Sequence, residues 1–402
     1  MQVVVVGSGA REHALAWQLA RSPSLTELHA APGNPGIAGL GRCHPVRADD
    51  GDGLLALALT LDADLVVIGP EAPLVAGVAD ELRRNGIAVF GPGAEAARIE
   101  GSKTFAKDVM RAAGVPAAET LALARPPCVV KADGLASGKG VFVCRTADEV
   151  DEALRAVQRY DGGVVIEELL EGREVSLFAL SDGHRAVPLG TAQDFKRSED
   201  GDGGPNTGGM GAYSPVTWLD DAEGLVEQIH QPVIDELARR GTPFVGCLFA
   251  GLMVTDSGPK VLEFNARFGD PETQALMPLL DCDLLEALAA AAHGHLGGIR
   301  LRTSGEAAVT VVLAAPDYPE RSDYAGAPIS GVADAEASGA LVFHSGTAMR
   351  GDALVTNGGR ILSVTGTGST VARARAHAYA AADMIQFEGV RPRSDIAAAV
   401  DG

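Results

Sequence analysis

Three stretches of the sequence carry residue types at spacings suited to phosphate chemistry. Lys131-x-x-Gly134-x-x-x-Gly138-Lys139-Gly140 sets lysines and glycines around Ser137. Glycine lets the backbone approach a polyphosphate, and successive N–H groups can then point at its oxygens. The spacing is not that of a Walker A loop, and an apolar run at 141–144 follows where that loop needs a helix. Read alone, a plain hairpin with an exposed lysine is the weaker alternative for this segment. Next, Glu167, Glu168, Leu170 and Glu174 belong to an acidic segment behind a strand. It offers backbone groups to a base edge and a carboxylate to a ribose diol, or is simply solvated. The third stretch is Glu263-Phe264-Asn265-Ala266-Arg267-Phe268-Gly269-Asp270-Pro271-Glu272. On a strand Glu263, Asn265 and Arg267 project to one side, giving two hard oxygen ligands for a phosphate-bound magnesium ion, with a cation beside them. The alternative is an exposed polar strand face, which the flanking Val261, Leu262, Phe264 and Phe268 argue against.

Positioning these groups falls to a chain of alternating strands and helices. Residues 3–6 form an apolar run closed by Gly7-Ser8-Gly9, and Ala14, Leu15, Leu19 and Ala20 follow at helical spacing. That is a buried parallel strand, a tight turn and a crossover helix. Residues 64–70 and 87–92 repeat the strand and its Gly-Pro stop, so roughly the first hundred residues read as an α/β layer. Beyond it, helices are expected over 104–113 and through Val150, Leu154 and Val157, with strands over 128–131, 141–144, 164–166 and 175–180. Residues 193–214 are polar, glycine-dense and aperiodic, and read as a long functional loop. A helix over 225–239, strands over 245–254 and 260–264, and a helix near 284–292 come next. Short strands follow at 309–314, 341–343, 353–356 and 360–364, with Asn357-Gly358 signalling a hairpin between the last two. A helix over 371–384 ends the pattern.

The chain has 402 residues, 46% hydrophobic and 21% charged. Such a composition argues against disorder and leaves room for about two to four domains. Its 33 basic and 53 acidic residues give a net charge of −20. That field repels nucleic acid and anionic membrane, so a phosphate-bearing ligand must be held by local donors. The five cysteines show no C-x-x-C spacing, and their odd number argues against a disulfide framework. The uncharged stretch 241–255 is too short, and too broken by Gly and Pro, to span a bilayer. Residues 1–6 run straight into a glycine turn, leaving no room for a signal segment. A cytoplasmic protein with small-molecule partners, and with neither nucleic-acid nor membrane partners, is expected.

In this order the three stretches resemble ATP-grasp enzymes over 101–298. Gly7-Ser8-Gly9-Ala10-Arg11-Glu12, Ala31-Pro32-Gly33-Asn34, Gly69-Pro70-Glu71 and Gly101-Ser102-Lys103 sharpen the likeness, as do Gln193-Asp194-x-Lys196-Arg197 and Gly204-Pro205-Asn206-Thr207-Gly208-Gly209-Met210-Gly211. Collinear over nearly the whole chain, the set resembles the phosphoribosylamine–glycine ligase family. The resemblance implies a multidomain α/β and α+β fold. An N-terminal parallel-sheet domain (1–100) precedes a two-lobed ATP-grasp core, with its large lobe at 101–120 and 190–300 and its small lobe at 121–189. A small mixed C-terminal domain (301–402) follows. ATP with Mg²⁺ or Mn²⁺, glycine and 5-phosphoribosylamine are the implied ligands, and a monomer is the expected assembly.

By the same resemblance Lys103 and Lys131 contact the phosphates, and Gly134, Ser137, Gly138, Lys139 and Gly140 close over them. Glu167, Glu168 and Leu170 lie along the adenine, Glu174 at the ribose, and Glu263 and Asn265 hold the metal. Arg267 joins the two lysines as a catalytic charge facing the acyl phosphate or tetrahedral intermediate, a surface salt bridge being its alternative. Gly9, Arg11, Glu12 and Glu71 lie at strand ends of the N-terminal sheet, where ligands bind in open α/β sheets. With Asp194, Lys196, Pro205, Asn206, Thr207, Gly208, Gly209 and Met210 they hold the phosphoribosylamine. Three departures from the family pattern stand out. Ala10 replaces a common glycine and would be strained if φ were positive. Phe195 replaces a polar residue, and 121–127 is short.

Rival readings are weaker. Gly7-x-Gly9 after a strand suggests a dinucleotide-dependent oxidoreductase, but the third glycine of that fingerprint falls at Glu12. Residues 206–213 and the first domain oppose an ATP-grasp ligase acting on another carboxylate or bicarbonate. A non-catalytic nucleotide sensor has no need of Lys103, Lys131, Glu263, Asn265 and Arg267 together.

Overall fold

The computed structural model describes residues 1–135, 140–160 and 162–400. Five parallel strands build the N-terminal sheet, in the order Arg42–Cys43, Glu27–Pro32, Gln2–Gly7, Leu65–Ile68, Val89–Phe90. Val3 to Val6 are buried on both faces of the central strand, which is why it reads as an unbroken apolar run. The strand order reverses on either side of Gln2–Gly7, and a crevice opens at the carboxyl ends there. Gly7, at φ 126°, turns the chain into the helix Ala10–Leu19. Ala10 is the first residue of that helix and is not among the positive-φ residues, so the expected strain does not arise.

An eight-stranded sheet runs through the rest: Gly258–Asn265, Val245–Thr255, Arg173–Asp182, Ala186–Asp194, Gly211–Ser214, Ala307–Ala314, Arg360–Gly368 and Leu341–His344. Gly211–Ser214 splices its two halves, Ala212 pairing with Asp194 on one side and Thr310 on the other. The stretch expected to be one long loop therefore contains a sheet strand, and also a hairpin of Arg197–Glu199 with Gly203–Asn206. Ladder partners as remote as Val309 for Tyr213 leave no local pattern to read. The helix expected over 225–239 is divided into Ala222–Leu225, a π-helical turn Val226–His230, and Gln231–Arg239.

Asn357-Gly358 does not close a hairpin. Ala353–Asn357 belongs to a separate sheet with Ala325–Pro328 and Thr347–Arg350, whereas Arg360–Gly368 lies in the large one. A Cβ on Gly358 would sit 2.8 Å from Gly346 Cα, so this glycine pair marks a close backbone crossing between sheets. The hairpin turn lies instead at Gly351, φ 61°.

A small antiparallel sheet, Val141–Cys144, Cys128–Ala132 and Val164–Glu168, lies under the helix Ala147–Val157. Its core of Cys128, Val130, Ala132, Cys144, Val150, Ala153 and Val157 is separate from the two large clusters. Single bridges, Ala117 to Val261 and Thr120 to Glu167, link its approach segment to both sheets. Among the described residues no helix is long and apolar enough to cross a membrane.

The N-terminal layer is tied to Leu341–His344 through two side chains. Asn34 Nδ2 donates to Ser8 O at 2.9 Å and His344 O at 2.8 Å, while His13 Nδ1 accepts from the His344 amide at 2.8 Å. Burial, reinforced by the neighbouring His344, pushes His13 down to about 3, and burial pushes His344 down to about 4. Both rings are neutral when folded but protonate once unfolded. Their contribution to stability is complete above the unfolded pKa of about 6.5 and is lost as pH falls from there toward the folded values. The urea midpoint should fall from about pH 6.5 to about pH 4.5, and less steeply in a His13→Gln/His344→Gln variant. Equal slopes for the two proteins would rule the pair out as the cause.

Candidate active site

A cavity of about 390 Å³ opens where the N-terminal crevice, the small sheet and the large sheet meet. Among the described residues its lining carries six cations and seven carboxyl groups, a local near-balance within a chain of net −20. Lys103, Glu263, Asn265 and Arg267 are brought together here with Arg11, Glu71, Asp194, Lys196, Thr207 and Gly208, and with Gly134 and Gly140 of the glycine turn. Ser137, Gly138 and Lys139 lie outside the described residues.

Ser102 caps the helix Lys103–Ala113 by accepting from the Phe105 amide at 3.2 Å. That cap sets Lys103 at the cavity edge, where Nζ donates to Gly134 O at 3.1 Å. Thr104 Oγ1 holds Asp133 at 2.6 Å, tying the start of the glycine turn to the same helix. Burial, with Lys131 nearby, holds the Lys103 ammonium below its usual pKa despite the attraction of Glu263.

Glu263 and Asn265 project from the strand Gly258–Asn265, with Phe264 in the core between them. Among the described residues the Glu263 carboxylate makes no ion pair, although Lys103 and Lys196 lie in its field. Asn265 Oδ1 accepts from Arg267 Nη2 at 3.3 Å. No group of three His, Cys, Asp or Glu side chains among the described residues is arranged to hold a metal. Two hard oxygen donors of this kind fit a divalent cation that arrives with phosphate oxygens and water, not an all-protein cage.

Arg267 is 17% exposed and pairs with Glu100 at 3.0 Å and Glu71 at 3.5 Å, so it is not a surface salt bridge. Burial raises the Glu100 carboxyl in spite of Arg267. At Glu71 burial acts in the same direction, but Arg267 and Arg11 prevail and hold the carboxyl below its usual range. Lys196 bonds Asp194 at 3.0 Å and Glu174 at 2.5 Å. Burial opposes its charge, yet the two carboxylates keep its ammonium well above the ordinary pKa.

Family models of phosphoribosylglycinamide synthetase match the chain in three consecutive parts: the N domain over residues 1–100, the ATP-grasp (A) domain over 101–273 and the C domain over 308–399. The chain belongs to this family. The phosphoribosylamine–glycine ligase of Streptomyces coelicolor is 53% identical over 420 residues, covering 100% of each chain. That of Mesorhizobium japonicum is 49% identical, covering 98% of this chain and 97% of its own. A crystal structure of phosphoribosylamine–glycine ligase from Thermotoga maritima superposes with a TM-score of 0.83 at 34% identity, over 98% of this chain and 100% of that one. The biotin carboxylase domain of 2-oxoglutarate carboxylase from Hydrogenobacter thermophilus, at 16% identity and TM-score 0.68 over 97% and 91%, shares the fold alone.

Several expected contacts of this ligase are paired within the protein or set back from the cavity. Glu167 is buried between Lys107 (2.8 Å) and Lys131 (2.7 Å), and Lys131 also donates to Leu262 O at 3.0 Å. The Glu167 carboxylate is thus committed to two lysines, and Lys131 staples the small sheet to the large one. Glu168 is occupied by Lys260 at 2.8 Å, Glu174 by Lys196, and Leu170 does not line the cavity. Glu12 faces away from it. Its carboxylate accepts from the Gly9 amide at 2.7 Å, closing the helix's first turn, and pairs with Arg11 at 2.6 Å. A Cβ on Gly7 or Gly9 would come within 2.6 or 2.9 Å of Glu12, so Gly9 and Glu12 shape the turn. Pro205 and Asn206 line a second cavity, beside Phe142 and Arg155 of the small sheet's unit. Met210 is buried, Gly209 packs on Pro271, and Phe195 lies under the Arg393 guanidinium at 5.2 Å.

Five lining residues carry no advance signal or only a weak one. Asp270 and Glu272 fall inside the third stretch without an assigned role, Glu100 adjoins Gly101-Ser102-Lys103, and Lys107 lies one turn beyond Lys103. Arg360 comes from the C-terminal strand, where nothing local marks it. It bonds Asp270 Oδ2 at 2.8 Å and Gly208 O at 2.6 Å. Glu272 is 3% exposed, and burial, with Asp194 adding to it, pushes its carboxyl up to about 7.

Removing the shared carboxylate should expose how far the site depends on it. Glu167→Ala leaves Lys107 and Lys131 buried without a counter-charge and is expected to cost about 3–5 kcal/mol in urea unfolding. A loss below about 1 kcal/mol would mean that both ammonium groups find water instead.

Proposed function

We infer that this chain joins glycine to 5-phosphoribosylamine, consuming ATP to ADP and phosphate and giving glycinamide ribonucleotide in de novo purine biosynthesis. What supports this is a single cavity where Lys103, Glu263, Asn265 and Arg267 meet Arg11 and Glu71, in a chain matched nearly end to end by one ligase family. ATP-grasp ligases use ATP with a divalent metal. We assign Mg²⁺, with Mn²⁺ as a substitute, to Glu263 and Asn265, where it would screen the phosphate charge.

Glycine's carboxylate oxygen attacks the γ-phosphorus, giving glycyl phosphate and ADP. The amine of phosphoribosylamine then bonds the acyl carbon, loses a proton, and phosphate departs. The protein's part is alignment and fixed charge in a site closed to water. Lys103 meets the phosphates directly, and Ser137, Gly138, Lys139 and Gly140 cover them. Lys131, Lys107 and Glu167 hold the two sheets at the spacing the nucleotide needs, the backbone of 167–170 and Glu174 bordering its base and ribose. Arg267, steadied by Glu100, faces the acyl phosphate. Arg11, Glu71, Asp194, Lys196, Thr207 and Gly208 surround phosphoribosylamine at the reversal point of the N-terminal sheet.

In this reading 121–189 is the clamping lobe, 101–120 with 190–300 its counterpart, and 1–100 and 301–402 the flanking domains. The enzyme acts as a cytoplasmic monomer.

Purified protein should release phosphate only when ATP, Mg²⁺, glycine and phosphoribosylamine are all present. Release that ignores glycine would overturn the assignment. Glu263→Ala should abolish glycine-dependent ADP formation with the urea midpoint unchanged, since it removes a half-buried carboxylate and little core volume. Turnover like wild type would refute the metal role. Arg267→Lys is expected to lower kcat about 100-fold with the KM for ATP within about threefold. A change confined to the KM for ATP would move Arg267 out of the catalytic role.

A further inference from the structure

We propose that Glu272 receives the α-ammonium group of the amino-acid substrate. This rests on the ligase reading above and adds to it the site that grips glycine. An amino acid enters as a zwitterion. Its carboxylate must lie near Arg267 and the metal to reach the γ-phosphorus, so its ammonium group needs an anion a few ångströms away.

The lining offers seven carboxyl groups, and most are already matched. Glu71 and Glu100 pair with Arg267, Glu167 with two lysines, Asp194 with Lys196, and Asp270 with Arg360. Among the described residues that leaves Glu263, assigned to the metal, and Glu272. The Glu272 side chain takes part in no ion pair within that set; it accepts a weak hydrogen bond from Ser176 Oγ at 3.4 Å and one from its own backbone amide. It is 3% exposed. An unpaired carboxylate so dehydrated is costly, and burial shifts the group toward its protonated form until a cation pairs with it. The chain does not supply that cation at bonding distance, whereas a substrate ammonium would.

The surroundings favour a compact ligand. A Cβ on Gly269 would fall 2.5 Å from Glu272 Oε2 and 3.1 Å from the Phe178 ring, so the carboxylate is set against bare backbone with an aromatic ring behind it. Charged groups face it from three sides. Asp194 ends Ala186–Asp194 and Lys196 follows it, Arg267 follows Gly258–Asn265, and Arg360 comes from the C-terminal half of the large sheet. Ser176 lies on the strand below. As the pH rises through the neutral range Glu272 ionises and its attraction for an ammonium group grows.

Initial rates of phosphate release at varied glycine, with ATP and phosphoribosylamine saturating, test this. Glu272→Gln should raise the KM for glycine by roughly 30-fold or more with the KM for ATP within about twofold, and Glu272→Asp should fall between. In wild type the KM for glycine should drop between about pH 6 and about pH 8, and the glutamine variant should lack that drop. The wild-type profile tests the proposal even if the variant folds poorly. A glycine KM unchanged in the variant, an equal rise for glycine and ATP, or a loss in kcat alone, as for a proton acceptor, would overturn the proposal. Wild-type phosphate release that ignores glycine would instead sink the ligase reading itself.

Discussion

A carboxylate shared by two lysines holds the working part of this molecule together. Glu167, on the small sheet, sits between Lys107 of the helix Lys103–Ala113 and Lys131 of its own sheet, and Lys131 continues to the Leu262 carbonyl on the large sheet. The small sheet has its own core and joins the remainder through few backbone bridges. Hydrophobic contact therefore does not fix its position, and this charged staple carries much of the burden. Buried pairs of this type add little net stability over apolar packing, but removing one member is severe because the other charges stay buried. What the arrangement secures is geometry: the small sheet and Gly134, which accepts from Lys103, are held beside the strand that carries Glu263 and Asn265.

The apolar architecture surrounds that staple as a frame. The N-terminal sheet delivers Arg11 and Glu71 from two adjacent strand ends, and the large sheet delivers Glu263 and Asn265 from an edge strand. Gly211–Ser214 makes the frame continuous. Because it pairs with both Ala186–Asp194 and Ala307–Ala314, Arg360 in the C-terminal half can reach Gly208 and Asp270 across the cavity wall. Asn34 and His13 join the glycine turn of the first strand to Leu341–His344, so the turn that leads to Arg11 is braced from the C-terminal end too.

Much of this was legible in the residues, and the failures share one cause. Strands such as Leu65–Ile68 and the alternation of Glu263, Asn265 and Arg267 show in the sequence because burial imposes a short period on neighbouring residues. Gly211–Ser214 does not show, since its partners are far along the chain and its residues are small. Asn357-Gly358 has the composition of a tight hairpin, but the glycines serve a backbone crossing with Gly346. In the site, residues that line the cavity and residues that support it look alike in sequence. Lys131, Glu167 and Glu12 have the types and spacing of ligand contacts, yet their charges are spent on one another and on the backbone. Only the pairing pattern separates the two groups, and pairing is tertiary.

That pattern also resolves an apparent conflict between a chain of net −20 and a polyanionic ligand. The cavity is not uniformly basic; it is polarised. Toward the small sheet, Lys103, Lys107 and Lys131 face the single carboxylate of Glu167, leaving a positive surplus. Toward the large sheet's interior, Asp194 and Glu174 share Lys196, while Glu263 and Glu272 add carboxyl groups that no neighbouring cation pairs among the described residues. The first end suits a polyanion, and the second suits cations. Because both ends lie inside one dehydrated cavity, where Coulomb terms are far stronger than in water, a separation of a few charges outweighs a dilute surface field of opposite sign. On the proposed reaction, the order in which phosphate, metal and amino acid line up follows from which lysines and carboxylates are left without a full counter-charge.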